Sequence, residues 1–352
     1  QFIHLTFQEF LAARLLAKER EESWATLLPQ VTDAWWREIF LLHYGFAKSD
    51  FASYSQKFLH WLSDLPVVDA ATRLAGLELA GAAVLDIERP EPELRKRQAE
   101  GLAAALIDLA RQTTPEQRLA AGKTLAQLGD PRKGVGIVEA QNFAPLPDIG
   151  WVKIPKMDKN GQSEFIYQDA KRESPDDFWM AQYPITYAQF QTFKDADDGW
   201  RNPLWWKGLA QNDQNEPGEQ HFPVWNHPRE NVSWYQAVAF CGWLTEQARQ
   251  YLDLLPAEAR DKKDWRISLP TEWQWEKAAR GCDGRKYPWG GDTYQPGYAN
   301  INETYENAGP HYLQTTSAVG MYPQGASPYG LLDLSGNVWE WCDNEHETPD
   351  NF

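Results

Sequence analysis

The segment SAVGMYPQGASPYGLLDLSGNVWEW (residues 317–341) decides the fold that this sequence predicts. Glycine, proline and asparagine recur every few residues along it, which predicts loops and turns rather than a helix or a long strand. Trp339 and Trp341 nevertheless give this irregular segment large apolar side chains. A domain made of such loops needs aromatic rings as internal packing, and most of its tryptophans are expected to serve that purpose.

The composition of the chain changes near residue 140. Fourteen of the 18 tryptophans follow that residue, whereas the sequence up to about Asp130 is rich in alanine and leucine at helical spacing. The proline-punctuated run AQNFAPLPDIG (residues 140–150) marks the change. We therefore expect an α-helical N-terminal region, a bundle or a HEAT-like array, because short amphipathic helices must stack to bury their apolar faces. An α+β domain with much irregular structure should follow it.

Five short patterns predict where helices begin. In a capping box, a serine or threonine and a glutamate or glutamine three residues later exchange hydrogen bonds in the first helical turn. The patterns are Thr6 with Glu9, Thr114 with Gln117, Thr186 with Gln189, Ser233 with Gln236, and Thr271 with Gln274. The first two predict helices in the N-terminal region, and the other three predict short helices in the C-terminal domain.

The formal net charge of −16 lies mostly in the second part of the chain. Residues 1–140 carry 16 lysines and arginines against 19 aspartates and glutamates, and the remainder carries 18 against 31. Because so negative a field repels phosphate groups, we do not expect nucleic-acid binding. No apolar stretch is long enough to span a bilayer and no signal peptide opens the chain, so the sequence predicts a cytoplasmic protein without membrane contact. The three cysteines form no C-x-x-C pair and are expected to be core thiols, with a disulfide left open.

The N-terminal region resembles part of a signalling ATPase. The segment FIHLTFQEFLAARLLA (residues 2–17) is similar to the segment that closes the NTPase module of NACHT-type (STAND) ATPases, and RLAAGKTLAQLGDPR (residues 118–132) resembles a degenerate HEAT-like repeat. No G-x-x-x-x-G-K-[ST] phosphate loop occurs in the sequence. The resemblance implies that residues 1–22 end an NTPase module lying upstream in the parent chain. Residues 23–140 would then form a helical, HEAT-like linker.

The C-terminal part resembles the formylglycine-generating-enzyme family, whose fold belongs to the C-type lectin group. The opening run WVKIP (residues 151–155), the block ISLPTEWQWEKAARG (residues 267–281) and residues 317–341 follow the family's order and spacing. The resemblance implies that residues 141–352 are a C-type lectin fold of the formylglycine-generating-enzyme type, incomplete at its C-terminus.

The same resemblance implies a calcium site. In the family, one calcium ion is bound by the residues that match Asp333, Gly336, Val338 and Glu340, through two carboxylates and backbone carbonyls. Hard oxygen ligands in a glycine-bearing turn suit calcium. Alternatively, the two acidic residues only cap the turn or hydrogen-bond within it.

A second calcium site is implied less well. It would use Asn300 and Ile301, but His311 stands where the family has an aspartate. An imidazole is a poor ligand for calcium, so this second site is not expected to bind the ion. Calcium is the only cofactor that the sequence predicts.

The family's catalytic chemistry is not expected in this chain. Its copper-binding cysteine pair lies downstream of the GNVWEW motif, and Cys342 matches neither member of that pair. Iron-dependent relatives use an H-x-x-x-H pair, and no two histidines here have that spacing. The sequence therefore predicts that the chain is not an enzyme.

Recognition is the preferred hypothesis for the function. The chain would be the sensor of a STAND-type signalling or defence ATPase, as in the variable proteins of diversity-generating retroelements. It would bind a protein or another macromolecule through its C-terminal lectin surface. Ligand contacts are expected around Trp205, Trp206, Trp339 and Asn344 and in residues beyond Phe352. The alternative is a formylglycine-generating-type oxidase, or a related enzyme, whose catalytic cysteine segment is missing from this chain.

Overall fold

The computed structural model describes residues 2–66, 69–140, 143–209, 216–262 and 264–343. The chain forms two compact units, which divide after Pro131. The predicted division lay later, at residue 140. The structure places it earlier because Val135 is fully buried with Tyr183 and Val319 of the second unit. Within the described ranges, no helix combines the length and the apolar character needed to cross a bilayer.

The first unit is α-helical. Its α-helices are α1 (Phe2–Glu19), α2 (Trp24–Leu27), α3 (Arg37–Asp50), α4 (Ala52–Ser63), α5 (Ala70–Leu85), α6 (Pro92–Asp108) and α7 (Pro115–Leu128). Single 3-10 turns lie at Arg20–Ser23, Leu28–Gln30, Ala34–Trp36 and Ala110–Gln112. Helix α3 packs against α1, α4 and α5, and α5 packs against α6 and α7, so each helix buries its apolar side on its neighbours. Because α1 packs on α3, residues 1–22 belong to the same compact unit as the helices after them.

A carboxylate ties helices of the first unit together. Glu78 on α5 is 8% exposed and accepts hydrogen bonds from Arg37 at 2.9 Å and from Thr124 at 2.6 Å. Arg37 is the first residue of α3 and Thr124 lies on α7, so the side chain of Glu78 connects three helices. A buried carboxylate is stable only when it is paired in this way.

Four of the five predicted capping boxes are confirmed. Threonine or serine and glutamine exchange both hydrogen bonds at the starts of α7, α8 (Tyr187–Asp195), α9 (Trp234–Gln250) and α11 (Glu272–Arg280). The fifth is wrong, because α1 already begins at Phe2 and Thr6 lies inside it. None of the residues before Thr6 breaks a helix, so the helix continues through the pattern that was expected to start it.

The second unit has little regular structure. Besides α8, α9 and α11 it contains α10 (Ala257–Arg260) and 3-10 turns at Pro203–Trp206, Leu252–Leu254, Tyr305–Asn307 and Pro323–Gly325. Its strands form three antiparallel pairs: β1 (Ile137–Ala140) with β2 (Phe143–Pro147), β3 (Trp151–Ile154) with β6 (Phe178–Ala181), and β4 (Glu164–Tyr167) with β5 (Ala170–Glu173). Long loops connect these elements, as the composition predicts.

Aromatic rings form much of the core of this unit, which has little regular secondary structure. One core cluster joins α8 and α9 through Phe190, Phe193, Trp200, Phe240 and Trp243. Most of its ring pairs lie edge-on or tilted, and Phe190 stacks on Phe240. A second cluster joins β3, α11 and the loop at residues 331–334. This second cluster positions the turn that contains the sequence GNVWEW.

Candidate functional site

The turn at residues 333–340 requires particular residues for its backbone. Asp333, Gly336 and Asn337 have φ angles of 60°, 87° and 69°. A Cβ atom on Gly336 would lie 2.6 Å from the carbonyl oxygen of Asn300, so only glycine fits there. Aspartate and asparagine are the other residues that most readily adopt left-handed backbone. The backbone geometry thus explains the aspartate, the glycine and the asparagine of this turn.

Asn337 fastens the turn to two neighbouring segments. Its Oδ1 accepts a hydrogen bond from the backbone nitrogen of Ser317 at 2.9 Å, and its Nδ2 donates to the carbonyl of Ser317 at 3.2 Å. Its backbone nitrogen donates to the carbonyl of Asn300 at 2.9 Å. The side chain of Asn300 in turn donates to the carbonyl of Thr315 at 2.9 Å. These contacts fix the turn against two segments distant in sequence.

Two carboxyl groups lie at the ends of this turn. Oδ2 of Asp333 accepts from the backbone nitrogen of Gly320 at 2.6 Å, and Oε2 of Glu340 accepts from the indole N–H of Trp275 at 3.0 Å. Burial raises the pKa of Asp333 to about 6, although the Gly320 hydrogen bond and the charge of Arg132 lower it. Burial raises the pKa of Glu340 to about 7, and the charge of Asp333 adds to that rise. The two carboxylates therefore lie within electrostatic reach of each other.

The turn contains the kinds of oxygen atom that calcium takes as ligands. Calcium takes oxygen ligands from carboxylates and backbone carbonyls in flexible geometry, and the turn offers the carboxylates of Asp333 and Glu340 and the carbonyls of Gly336 and Val338. A cation between the two carboxylates would relieve both their repulsion and the cost of burying them. Among the described residues, no group of three or more histidine, cysteine, aspartate or glutamate side chains could hold a metal ion. A calcium ion at this turn would therefore need backbone carbonyls as well as the two side chains as ligands.

The region of the second calcium site is organised around Glu303, which the sequence did not indicate. Glu303 is fully buried. Its Oε1 accepts from Tyr294 at 2.6 Å and from the backbone nitrogen of Gly297 at 2.6 Å, and its Oε2 accepts from the backbone nitrogen of His311 at 3.1 Å. This carboxylate already has its hydrogen-bond donors within the protein. No spacing in the sequence indicates it, because its donors lie six to nine residues away along an irregular loop.

Asn300 and Ile301 also form hydrogen bonds within this region. The Asn300 side chain is hydrogen-bonded to Thr315, and the carbonyl of Ile301 accepts from the backbone nitrogen of Glu303 at 3.1 Å. The imidazole of His311 lies 3.9 Å from the position of a Cβ atom on Gly297. These contacts show that Asn300, Ile301 and His311 take part in the packing of this loop.

The tryptophans expected to bind ligand fall in different environments. Trp206 is 9% exposed and donates its indole N–H to the carbonyl of Trp200 at 2.8 Å, so its assignment to a binding surface is wrong. Its ring packs in the core between α8 and α9 and therefore does not form part of an exposed surface. Trp205 is half-buried against the same cluster. Trp339 is 101% exposed and remains a candidate. Asn344 lies outside the described residues.

The two tryptophans of the GNVWEW motif have opposite roles. Trp341 is half-exposed and donates its indole N–H to the carbonyl of Val232 at 3.0 Å, which anchors the end of the turn. Trp339, two residues earlier, points its whole ring into solvent. Single exposed apolar rings are common on protein surfaces, and this one is free of core contacts and available to a ligand.

A cleft of about 340 Å³ opens beside the turn. Its walls include Trp275, Arg280, Lys286, Leu334 and Ser335. Arg280 is held by Glu276 and by backbone carbonyls, whereas Lys286 lies over the ring of Tyr287. The volume is at the lower end of the roughly 300–1,000 Å³ that is typical of small-molecule sites. Trp275 connects this cleft to the Glu340 carboxylate.

The three cysteines do not form a pair. Cys241 packs against the core cluster of α9, and burial raises the pKa of its thiol to about 12. Cys282 lies against Lys277, and burial together with nearby carboxylates raises the pKa of Cys342 to about 11. The prediction that Cys241 belongs to the core is confirmed. None of the three described thiols forms the cysteine pair that binds copper in the formylglycine-generating enzymes.

Comparison with known proteins agrees with the resemblance seen in the C-terminal sequence. The family described as "Sulfatase-modifying factor enzyme 1-like domain" matches residues 153–351. The formylglycine-generating enzyme of Mus musculus is 31% identical over 161 residues, which are 42% of this chain and 37% of that protein. Hercynine oxygenase of Mycolicibacterium smegmatis is 28% identical over 185 residues, 47% of this chain and 36% of that protein. The formylglycine-generating enzyme of Thermomonospora curvata is 33% identical over 124 residues, 33% of each chain.

These relatives correct one expectation. They are enzymes, so the sequence-based expectation that this chain is not an enzyme is wrong. That expectation depended on residues that would follow Phe352, and the point at which a sequence stops carries no information about them. The chain spans about a third of the length of these relatives.

Proposed function

Because the chain belongs to the family of sulfatase-modifying factor enzyme 1-like domains, we propose that it is part of an oxidase of the formylglycine-generating type. The observation that carries this proposal is the family match over residues 153–351, which includes the whole GNVWEW turn and its two carboxylates. Its substrate class would be a peptide with an oxidisable cysteine side chain. The described residues offer no cysteine pair for copper, so no step is assigned to that metal here.

The role of this chain's own residues in that reaction would be to build and hold the site. Asn337 and Gly336 fix the turn, and the indole of Trp275 orients Glu340 beside the cleft. The exposed ring of Trp339 offers a flat apolar surface on which a peptide could lie. Binding and orientation of the substrate next to the turn are thus the functions assigned to these side chains.

Turnover by the full-length protein tests this proposal. The protein would be incubated with oxygen, Cu(I) and a cysteine-bearing peptide, and the aldehyde product would be captured with a hydrazine probe and measured by mass spectrometry. The same peptide with serine in place of cysteine is the control, and hercynine with Fe(II) is the second substrate arm. Aldehyde formed only from the cysteine peptide supports the proposal. Oxidation of hercynine alone, or of neither substrate, overturns it.

Calcium at the turn is the second part of the proposal. Asp333 and Glu340 would supply charged ligands, and Gly336 and Val338 would supply carbonyls. A cation that binds only the folded state stabilises it, by about 2.7 kcal/mol when its concentration is one hundred times the dissociation constant. The melting temperature rises as a result. We expect calcium to raise the melting temperature of the wild-type chain and a chelator to reverse the rise.

Matched variants separate calcium binding from a general salt effect. The double variant Asp333→Asn with Glu340→Gln keeps the size of both side chains and removes both charges, so its melting temperature should not respond to calcium. The variant Glu303→Gln changes a buried carboxylate that already has protein donors, and it should keep the calcium response. Equal responses in the wild type and the double variant would exclude calcium from the turn.

Recognition of a macromolecule is the second candidate function. It is favoured by the fully exposed ring of Trp339 and by the separate helical unit before the family domain. In this case the domain would serve as the sensor of a STAND-type ATPase, with its variable residues in the C-terminal segment, as in retroelement-diversified proteins. Loops on a rigid frame can change sequence without loss of the core. Ligand-dependent ATP hydrolysis by the full-length protein, lost in Trp339→Ala, would favour recognition over oxidation.

A further inference from the structure

The cleft beside the GNVWEW turn is lined by two rows of side chains from α11. Trp275 and Ala279 are four residues apart and form an apolar row, and Glu276 and Arg280 form a polar row next to it. Leu334 of the turn adds a further apolar side chain to the lining. Arg280 forms an ion pair with Glu276, and their side chains are 19% and 18% exposed. The charge of Arg280 is therefore already matched within the protein.

Arg280 also connects two loops that line the cleft. Its guanidinium lies 3.5 Å from the carbonyl oxygen of Gln168, in the turn between β4 and β5. It also donates a hydrogen bond to the carbonyl of Arg285, in the loop that follows α11. Asp169 is the next residue after Gln168. Lys286 is the next residue after Arg285, so one guanidinium fixes both of the segments that carry these two charged side chains.

Asp169 and Lys286 place opposite charges in the lining of the cleft, and both residues are exposed. The ammonium group of Lys286 lies 5.6 Å from the centre of the Tyr287 ring. Within the described ranges, neither Asp169 nor Lys286 forms an ion pair. The two charges are therefore close together, unmatched by the protein and available to a ligand that brings both opposite charges.

The hairpin turn that presents Asp169 has a strained backbone. Tyr167 pairs with Ala170, so the turn consists of Gln168 and Asp169. Gln168 has a φ of 52°, in the left-handed region that glycine usually occupies in such turns. Residues held in conformations of this kind cluster at ligand sites, where the surrounding structure keeps them in place.

We propose that this cleft binds a free α-amino acid with a large apolar side chain, in its zwitterionic form. The carboxylate of the ligand pairs with Lys286, and its ammonium group pairs with Asp169. Its side chain lies on the apolar row of Trp275 and Ala279. A single carbon atom carries both charges of an α-amino acid, which matches two protein charges held on neighbouring segments by Arg280. A volume of about 340 Å³ suits a small molecule.

Simpler ligands would leave part of the cleft unmatched. A carboxylic acid without an amine brings a second negative charge toward Asp169, and an amine without a carboxylate brings a second positive charge toward Lys286. Glycine matches both charges but leaves the apolar row in contact with water. The inference is independent of the proposed oxidase activity, because it concerns binding alone and includes no oxidation step.

Ligand-observed NMR titrations of the wild-type chain test the site with four compounds. L-Phenylalanine has all three features, 3-phenylpropionate lacks the amine, phenethylamine lacks the carboxylate, and glycine lacks the apolar group. L-Phenylalanine should bind with a dissociation constant of about 1 mM, as expected for a ligand of this size. Each of the other three compounds should bind at least about threefold more weakly.

Matched variants assign the two charges. Lys286→Gln should weaken the binding of L-phenylalanine at least about threefold and leave that of phenethylamine unchanged, and Asp169→Asn should do the same while leaving that of 3-phenylpropionate unchanged. Lys207→Gln and Asp176→Asn remove the same charges from exposed residues outside the lining and should keep the wild-type affinity. Unchanged melting temperatures would confirm that all four variants fold.

Three results would overturn the proposal. The first is that L-phenylalanine does not bind, the second is that 3-phenylpropionate or phenethylamine binds as tightly as L-phenylalanine, and the third is that the control variants lose as much affinity as Lys286→Gln and Asp169→Asn.

Discussion

Replacing Gly336 with alanine is expected to destabilise the second unit strongly, for two separable reasons. The residue has a φ of 87°, and a left-handed conformation costs a residue with a side chain about 1–2 kcal/mol. In addition, the new Cβ would lie 2.6 Å from the carbonyl oxygen of Asn300 and 2.7 Å from Cγ2 of Ile301. Because one of these atoms belongs to the backbone, it cannot rotate away, and overpacking of this kind costs about 1–3 kcal/mol.

The two contributions give a total of about 2–5 kcal/mol. For a domain of this size, 1 kcal/mol shifts the melting temperature by about 2–4 °C, so a decrease of roughly 10 °C is expected. Most tryptophans follow residue 140, and intrinsic tryptophan fluorescence therefore reports mainly on the unfolding of the second unit. Scanning calorimetry of the same samples provides an independent melting temperature.

Gly330 is the matched control for this substitution. Its φ of 86° is nearly the same as that of Gly336, but a Cβ atom there would have no heavy atom within 4 Å. Gly330→Ala should therefore cost only the backbone strain, about 1–2 kcal/mol. The difference between the two variants isolates the close approach of Asn300 to the turn. Equal melting temperatures for the two variants would refute the claim that the turn packs directly against that carbonyl.

Two further predictions concern other side chains. Burial lowers the pKa of His43 from 6.5 to about 4. Below pH 6.5 the unfolded state therefore binds more protons than the folded state. The free energy of unfolding should be unaffected by this histidine above pH 6.5 and should fall by about 3 kcal/mol as the pH approaches 4. Denaturant unfolding followed by far-UV circular dichroism measures this slope, which should be smaller in His43→Gln; an unchanged slope would contradict the assignment. Trp339→Ala should change the free energy of unfolding by less than about 0.5 kcal/mol. Trp341→Ala should lower it by about 1 kcal/mol, because the variant loses the hydrogen bond to the carbonyl of Val232. The reverse order in denaturant titrations would show that the exposed ring, not the anchored one, holds the turn.

Local chemistry explains which features of the fold the sequence could predict. A capping box depends on two side chains and two backbone N–H groups, all within one turn, and four such patterns do start helices. Thr6 fails because a cap also requires that the residues before it leave the helix, and the pattern does not contain that information. The division after Pro131 was missed for a similar reason, since Val135 owes its place to the distant residues Tyr183 and Val319.

The sequence predicted the site only where residues close together in the chain determine its geometry. Gly336 and Asn337 could be recognised within their motif, because the backbone conformation of the turn selects them. Glu303 could not, since its donors come from Tyr294, Gly297 and His311 on a loop without periodicity. Trp206 was misplaced because composition cannot tell a ring that fills a core from one that faces solvent.

Helix α11 contacts the GNVWEW turn on one side and the interior of the second unit on the other. Trp275 and Lys277 are two positions apart on this helix and therefore project from nearly opposite sides of it. One side chain holds the carboxylate of Glu340 in the turn, and the other contacts Cys282. Calcium bound at the turn would therefore be connected, through Glu340 and Trp275, to the helix that carries Lys277 into the core of the second unit.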